Sequence, residues 1–249
     1  QQCRRCGGGG ARDPRRRARV TFRAAGALLG LAALLGAGPV HLDSQYVLQR
    51  YAVAVGAAPV PKAVVFTYTI SQVGPNNIEQ RHRIYRSGTD VRDETISVDG
   101  IALSRKIVRF SRREDRYTVD RFAPRSDAYE LLFLGTARDG RHLDYVYEAT
   151  PLTKPPGATI DRLTIDGVNF LPRVVHFHGA GPDVTGSGEI EFGPFGKYWM
   201  PVMAAAQAHV KGKPARELLT WSEYRFPESL PTSTFQAPEP LPHATPSSM

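Results

Sequence analysis

The chain has 249 residues, 41% of them hydrophobic and 22% charged, which is the composition of a globular protein with one or two domains. Its formal net charge of +8 comes mostly from residues 1–40, where eight arginines stand against one aspartate. The rest of the chain is close to neutral, which argues against a nucleic-acid partner. Both cysteines, Cys3 and Cys6, lie in this leader, so the remainder cannot form a disulfide or a cysteine-ligated zinc site.

The leader has the layout of an export signal. Five arginines between residues 15 and 23 precede the apolar run 24–40, in the order of the basic and apolar regions of a signal sequence. Small residues at 36–38 offer a cleavage site, but Pro39 follows at once, so cleavage and retention as a membrane anchor both stay open. The leader predicts an exported protein of the periplasm or cell envelope.

The first element predicted after the leader is one amphipathic helix over residues 44–58. Apolar residues recur there at helical spacing, with Val47, Tyr51 and Val55 four residues apart. The Asp-Ser pair at 43–44 can cap the start of the helix, and Pro59 ends it.

Eleven antiparallel strands are predicted from residue 63 onward. Two Asp-Gly dipeptides, at 99–100 and 166–167, accept the positive φ angles of tight turns and predict hairpins. Pro172 stands inside a strand segment, where it fits only an edge, a bulge or the first paired position. The predicted strands are 63–71, 78–86, 92–98, 102–110, 116–122, 129–134, 142–149 and four more within 158–226, the last two near 198–210 and 216–224. Such regular turn signals predict a sandwich or a barrel.

These elements divide the chain into three segments, namely the leader 1–40, a β-rich domain over 41–231 and a tail over 232–249. The central segment contains no linker long enough to split it, so it is predicted to be a single domain. The tail is predicted to be disordered because six prolines fall among the last 23 residues.

Residues that could carry catalysis or bind a metal are present, but they do not form a recognisable site. His176 and His178 share one face of a strand without an evident third metal ligand. The segment 186–188, Gly-Ser-Gly, lacks the spacing of a nucleophile elbow. Four carboxylates that could form a glycosidase pair fall at positions expected to face solvent: Asp161, Asp166, Glu189 and Glu191. The sequence therefore predicts no enzyme, no metal site and no cofactor.

Aromatic residues occur on strand after strand of the predicted sheet. They can form a packed core, or they can line a wide cavity for an apolar ligand within a large barrel, and the sequence leaves both open. The candidates for lining such a cavity are Phe66, Tyr68, Tyr85, Phe133, Tyr145, Phe170 and Trp199.

Taken together, the leader, the short helix and the long antiparallel sheet resemble the periplasmic lipoprotein carriers of the Lol pathway and their lipoprotein-sorting relatives. The resemblance covers about residues 44–231. It rests on the strand end and turn at 85–88 (Tyr-Arg-Ser-Gly), on the Asp-Gly pair at 99–100 and on the ending 224–227 (Tyr-Arg-Phe-Pro). Where the family has a proline after the arginine, this chain has Ser87.

The resemblance implies a fold and a function. The fold would be mainly β, a large half-open antiparallel β-barrel of about 11 strands with the short N-terminal helix as a lid. Arg86 would tie the lid to the mouth of the barrel. The implied function is that of an exported, non-enzymatic protein that holds a lipid, acyl chain or lipoprotein in a hydrophobic cavity. The alternative is an envelope-stress sensor of the same fold that binds a membrane-anchored protein.

Overall fold

The computed structural model describes residues 42–74, 77–113, 118–139, 142–153, 158–180 and 184–237. The predicted leader, 1–40, lies outside the described residues. The helices are α1 (Ser44–Ala57), α2 (Val119–Phe122) and a 3-10 helix (Thr232–Phe235). The strands are β1 (Ala63–Val73), β2 (Ile78–Ser87), β3 (Asp90–Val98), β4 (Ile101–Arg112), β5 (Tyr129–Asp139), β6 (His142–Pro151), β7 (Ala158–Ile165), β8 (Pro172–Ala180), β9 (Val184–Phe195), β10 (Tyr198–Val210) and β11 (Lys213–Arg225).

All eleven described strands belong to one antiparallel sheet in the order β4-β3-β2-β1-β11-β10-β9-β8-β7-β6-β5. The chain runs from β1 outward to β4, crosses to the opposite edge at β5, and then returns strand by strand to β11. There it pairs with β1, so Val65 lies opposite Arg225. The edge strands β4 and β5 do not pair with each other, so the sheet is not closed. The mainly β fold class, the open antiparallel sheet and the short N-terminal helix are thus confirmed.

The turn at Asp99-Gly100 is the tight hairpin that the sequence predicts. Both residues have positive φ angles, 49° and 76°, and they alone connect β3 to β4. Lys211-Gly212 connects β10 to β11 with the same φ angles, although a lysine in place of aspartate or asparagine hides the signal.

The hairpin at Asp166-Gly167 exists, but its predicted tight turn is wrong. The connection spans 166–171, and the Asp166 amide donates to the Leu171 carbonyl at 2.9 Å. The Asp166 carboxylate accepts from the amides of Val168 (3.0 Å) and Asn169 (2.6 Å), which stabilises a longer loop. Pro172 is the first residue of β8, one of the positions that the sequence allows.

The strand predicted at 116–122 is wrong in its described part. Val119–Phe122 form the single helical turn α2, because Val119 and Phe122 three residues apart can face the same side of a helix. Pro124 follows two residues later and disfavours a longer helix.

The segment 158–226 contains five described strands where the sequence predicts four, and β9 is the strand without a predicted counterpart. Its glycines lower its strand propensity, yet packing requires two of them, Gly186 and Gly188. A Cβ atom on Gly186 would lie 2.6 Å from the Gln207 carbonyl oxygen. A Cβ atom on Gly188 would lie 2.5 Å from the Ala205 carbonyl oxygen and 2.7 Å from the Phe177 ring.

The described start of the predicted disordered tail is structured. Residues Thr232–Phe235 form the 3-10 helix, and the Arg92 guanidinium on β3 donates to the Thr234 carbonyl at 3.2 Å. Residues 238–249 lie outside the described part of the chain.

Two clusters of buried side chains lie against the sheet. We call the sheet face that α1 covers the helix-side face, and its opposite the outer face. Cluster 1 joins α1 to the helix-side face of β6–β10 and contains Val47, Tyr51, Val55, Tyr145, Tyr147, Leu163, Ile165, Val175, Phe192 and Trp199, with Val119 and Ala123. Cluster 2 lies on β1–β3 and contains Val64, Phe66, Ile84 and Val91.

A cavity beside the N-terminal helix

Helix α1 is fixed to the sheet by one apolar face. Asp43 caps the helix by accepting from the Gln45 amide at 2.7 Å. Val47, Tyr51 and Val55 then follow at four-residue spacing and are all buried in cluster 1. Burying side chains of this size contributes about 1.5–3 kcal/mol each, which exceeds what a helix of 14 residues gains from its own hydrogen bonding in water. The helix therefore depends on the sheet for its stability.

Tyrosine hydroxyls fix the position of α1 along the sheet. The Tyr147 hydroxyl donates to the Ser44 carbonyl at 2.9 Å, and the Tyr145 hydroxyl accepts from the Leu42 amide at 3.2 Å. Toward the other end of the helix, the Tyr51 hydroxyl donates to the Pro124 carbonyl at 3.1 Å, which ties α1 to the α2–β5 connection.

Burial raises the pKa of the tyrosine hydroxyls beneath and within α1. Burial raises the pKa of Tyr51 well above its usual value. Burial, with smaller contributions from Tyr145 and Asp43, raises the pKa of Tyr147 to about 12. Both hydroxyls consequently stay protonated, and remain able to donate, throughout the neutral range.

A cavity of about 830 Å³ lies between α1 and the segment 120–131. Its volume is within the range of pockets that hold small organic ligands. The apolar part of its lining is Leu48, Tyr51, Ala52, Val55, Val60 and Leu131, together with Gly56 and Ala58. Its polar part is Gln45, Gln49, Asp120, Arg125, Ser126 and Asp127. The arrangement is an apolar trough with a polar rim, on which Arg125 pairs with Asp127 through a hydrogen bond of 3.1 Å.

The sequence analysis did not single out the residues that line this cavity. A signal was present in α1, where Leu48 and Ala52 lie four residues apart and widen the buried apolar stripe of the helix toward the cavity. The opposite wall comes from a connection whose position next to α1 depends on the tertiary fold, so no local pattern identifies it.

The seven aromatic residues predicted to line a cavity do not surround one space. Four of them belong to cluster 1 or pack against it, namely Phe133, Tyr145, Phe170 and Trp199. Phe66 and Tyr68 belong to cluster 2 or pack against it. Tyr85 lies on the outer face, where the Arg92 guanidinium is 5.5 Å from its ring centre.

None of these seven residues lines the cavity beside α1. The Trp199 indole nitrogen even donates to the Pro172 carbonyl at 2.7 Å, as expected of a side chain with a fixed place in the core. Their role as ligand contacts stays a prediction.

Arg86 is buried near the end of β2 and stabilises the neighbouring loops. Its Nε donates to the Gly88 carbonyl at 3.2 Å, and its Nη2 donates to the Arg113 carbonyl at 3.3 Å. Among the described residues, no hydrogen bond joins Arg86 to α1. Arg113 is the last described residue before the connection to α2, so Arg86 holds the beginning of the segment that leads to the cavity wall.

The two histidines that share a strand face have separate partners. His176 Nδ1 lies 3.3 Å from a Glu189 carboxylate oxygen, and His178 Nδ1 lies 3.1 Å from an Asp161 oxygen. In the part of the chain that the structure describes, no three side chains are grouped as a metal ion requires.

No helix in the described ranges combines the length and apolar composition that crossing a membrane requires. No protein-family model matches the sequence, and the search of curated proteins finds no match.

Several solved structures align with most of this chain at low sequence identity. A LolA superfamily protein from Nitrosomonas europaea aligns over 79% of this chain and 99% of its own, with 14% identity and a TM-score of 0.44. An outer-membrane lipoprotein-sorting protein domain from Vibrio parahaemolyticus aligns over 78% and 97%, with 15% identity and a TM-score of 0.46. A DUF1329 family protein from Desulfovibrio piger aligns over 77% and 96%, with 11% identity and a TM-score of 0.44.

Proposed function

We propose that this chain is an exported, non-enzymatic protein that binds a lipid or the acyl chain of a lipoprotein beside α1. The observation that carries the proposal is the cavity of about 830 Å³, whose apolar wall is formed by one stripe of the helix and the start of β5. The resemblance of the sequence to lipoprotein carriers and its export-like leader support the same function.

An acyl chain suits the chemistry of this cavity. Each methylene transferred from water into an apolar site contributes about 0.8 kcal/mol, so ten methylenes supply useful affinity without a specific polar contact. The polar end of the lipid would lie at the rim, where Gln45 and Gln49 offer amides. The rim cation Arg125 is paired with Asp127, and Asp120 adds a second carboxylate, so a hydrogen-bonding headgroup is favoured over an anionic one.

Arg86 has a role in this proposal that differs from direct contact with the lid. By holding the Arg113 carbonyl, it fixes the start of the connection that leads through α2 to residue 131. That connection forms one wall of the cavity, and Tyr51 of α1 is bonded to it through Pro124. Arg86 would thus control how readily α1 and its facing wall separate to admit or release a ligand.

A displacement assay with a fluorescent fatty acid tests the proposal. The wild-type protein should show saturable binding, and Ala52→Trp should abolish it because the indole would occupy the trough. Val53→Trp is the matched control, since Val53 neighbours Ala52 on the same helix, is 66% exposed and does not line the cavity. Absence of saturable binding by the wild type would refute a lipid-binding function.

The second function that the resemblance implies, a regulator bound to a membrane-anchored protein, predicts a different bound species. Native mass spectrometry after mild extraction separates the two functions. A co-purifying lipid supports the carrier, and a stable complex with a membrane-anchored protein and no lipid supports the regulator.

A further inference from the structure

Edge strand β4 is strongly basic. Residues 101–113 hold five cations and no carboxylate. Lys106 is paired with Glu94 at 2.9 Å, and Arg112 with Asp90 at 3.3 Å. The side chains of the other three, Arg105, Arg109 and Arg113, have no ion pair within the described part of the chain. The acidic residues that follow, at 114 and 115, lie outside the described residues.

The backbone of β4 offers a second feature that binding can use. The strand pairs with β3 on one side, and no described strand pairs with its other side. An extended strand with one row of unpaired N–H and C=O groups is a template for a further strand. On its paired side, β4 is held one residue past its end, where the Arg113 amide donates to the Thr89 carbonyl.

The opposite edge of the sheet, β5, also has one side without a described partner strand, but its charge differs. Strand β5 carries charges of both signs, with Glu130, Arg138 and Asp139. The pairing of each edge strand with its neighbour is interrupted once, between Phe133 and Gly135 on β5 and between Thr95 and Ser97 opposite β4, so the two edges differ in charge and not in regularity. The basic character is therefore specific to β4 and is not a general property of the sheet edges.

Strand β4 also carries exposed apolar side chains, one before its cations and one among them. Ile101 is 72% exposed and Ile107 is 52% exposed, which is unusual for residues that favour burial. A strand added at this edge would cover part of both side chains while it paired with the backbone.

We propose that the β4 edge binds an extended, acidic segment of a partner protein, which adds to the sheet as a twelfth strand. Carboxylates on the added strand would lie across from Arg105 and Arg109, and opposite charges at cross-strand positions stabilise strand pairing. A second copy of this chain is disfavoured as the occupant, because two β4 edges would bring like charges together. An anionic membrane surface would use the cations but would leave the unpaired backbone without a partner. This inference is independent of the ligand proposed for the cavity beside α1.

The test uses the folded full chain and a fluorescent nine-residue peptide of alternating glutamate and threonine. Fluorescence anisotropy should show saturable binding that weakens as salt is added. The double variant Arg105→Glu/Arg109→Glu should bind at least about tenfold more weakly, since two attractions become repulsions. The control Lys213→Glu/Arg216→Glu makes the same charge change on exposed positions of β11, inside the sheet, and should stay within about twofold of the wild type.

A peptide with alternate backbone nitrogens methylated separates strand addition from attraction by charge alone. It keeps every carboxylate but loses the donors that a β4 pairing needs, so its binding should fall at least about tenfold. Equal binding of the methylated peptide would overturn strand addition. The proposal would be overturned if the parent peptide showed no saturable binding. It would also be overturned if the peptide did not bind while the wild type bound phosphatidylglycerol vesicles and the double variant did not.

Discussion

Gly167 shows why a single residue can be required without any special backbone angle. Its φ angle is not positive, so the turn itself does not demand glycine. The requirement comes from the neighbouring strand, because a Cβ atom at this position would lie 1.8 Å from the Leu143 carbonyl oxygen. Backbone atoms cannot move aside as the end of a flexible side chain can.

We therefore expect Gly167→Ala to destabilise the protein by about 3 kcal/mol, measured by urea unfolding. Gly56→Ala is the matched control, since a Cβ on Gly56 meets nothing within 4 Å and alanine favours a helix. Equal stability of the two variants would show that the loop after β7 adapts at no cost.

Glu223 gives a prediction about pH. The hydrogen bond from the buried Thr67 hydroxyl, at 2.7 Å, lowers the pKa of the Glu223 carboxyl, with help from Arg81 and Arg83. Because the folded pKa lies below the ordinary value of 4.5, the carboxylate stabilises the fold above that value and loses its effect as the pH falls through the folded pKa.

Glu223→Gln should consequently lower stability at pH 7, and the difference from the wild type should shrink below about pH 4.5. Urea unfolding at a series of pH values measures this difference. Glu228→Gln is the control with little expected effect, since the Glu228 side chain is 92% exposed and 3.8 Å from Lys62. A difference for Glu223→Gln that is constant with pH would contradict the assignment.

At the scale of elements, α1 should be the least stable part of the fold, because it packs through one face and its backbone pairs with no described strand. Val47→Ala removes two buried methyl groups from cluster 1 and should cost about 2 kcal/mol. Hydrogen exchange of the α1 amides, combined with urea unfolding, measures the loss. Val53→Ala, at an exposed position of the same helix, should leave both unchanged, and equal effects of the two variants would argue that α1 does not depend on the sheet.

Local patterns predict those elements whose determinants are local. The turn at Asp99-Gly100 needs positive φ angles, which these two residue types accept. Helix α1 needs one apolar face, which the spacing of Val47, Tyr51 and Val55 provides. The sequence pattern does not predict β9, because Gly188 is required by its close contact with Ala205 and Phe177. That contact depends on which residues of the neighbouring strands lie opposite Gly188. For the aromatic residues the sequence leaves a packed core and a cavity both open, because alternation along a strand gives the face of a residue but not its neighbours across the sheet.

The candidate site was less predictable than the fold. Its helix wall was available from the pattern of α1, but its opposite wall comes from the α2–β5 connection, which approaches α1 only after the chain has crossed from β4 to β5. Arg86 was located by resemblance, and its partners are carbonyl groups that no sequence pattern marks.

At the scale of the molecule, β1 and β11 join the two parts of the sheet, so residues 63–226 should unfold as one cooperative unit. The two tryptophans report on different clusters, since Trp199 is buried in cluster 1 and Trp221 packs against cluster 2. In the single-tryptophan variants Trp199→Phe and Trp221→Phe, fluorescence and far-ultraviolet circular dichroism should give coincident transitions. Transitions at separate urea concentrations would show that the clusters unfold independently.

The pairing of the first strand with the last has a consequence for how fast the protein folds. Among the described strands, every other neighbouring pair in the sheet is consecutive along the chain, so β1–β4 and β5–β11 are two simple meanders. Only the β1–β11 pairing requires a loop from Val65 to Arg225 to close, and distant contacts of this kind slow folding. A circular permutant that begins at β5, ends at β4 and joins the present ends by a linker would turn the sheet into one continuous meander. Its native strand pairs would be unchanged, and its refolding should be faster than that of the natural order.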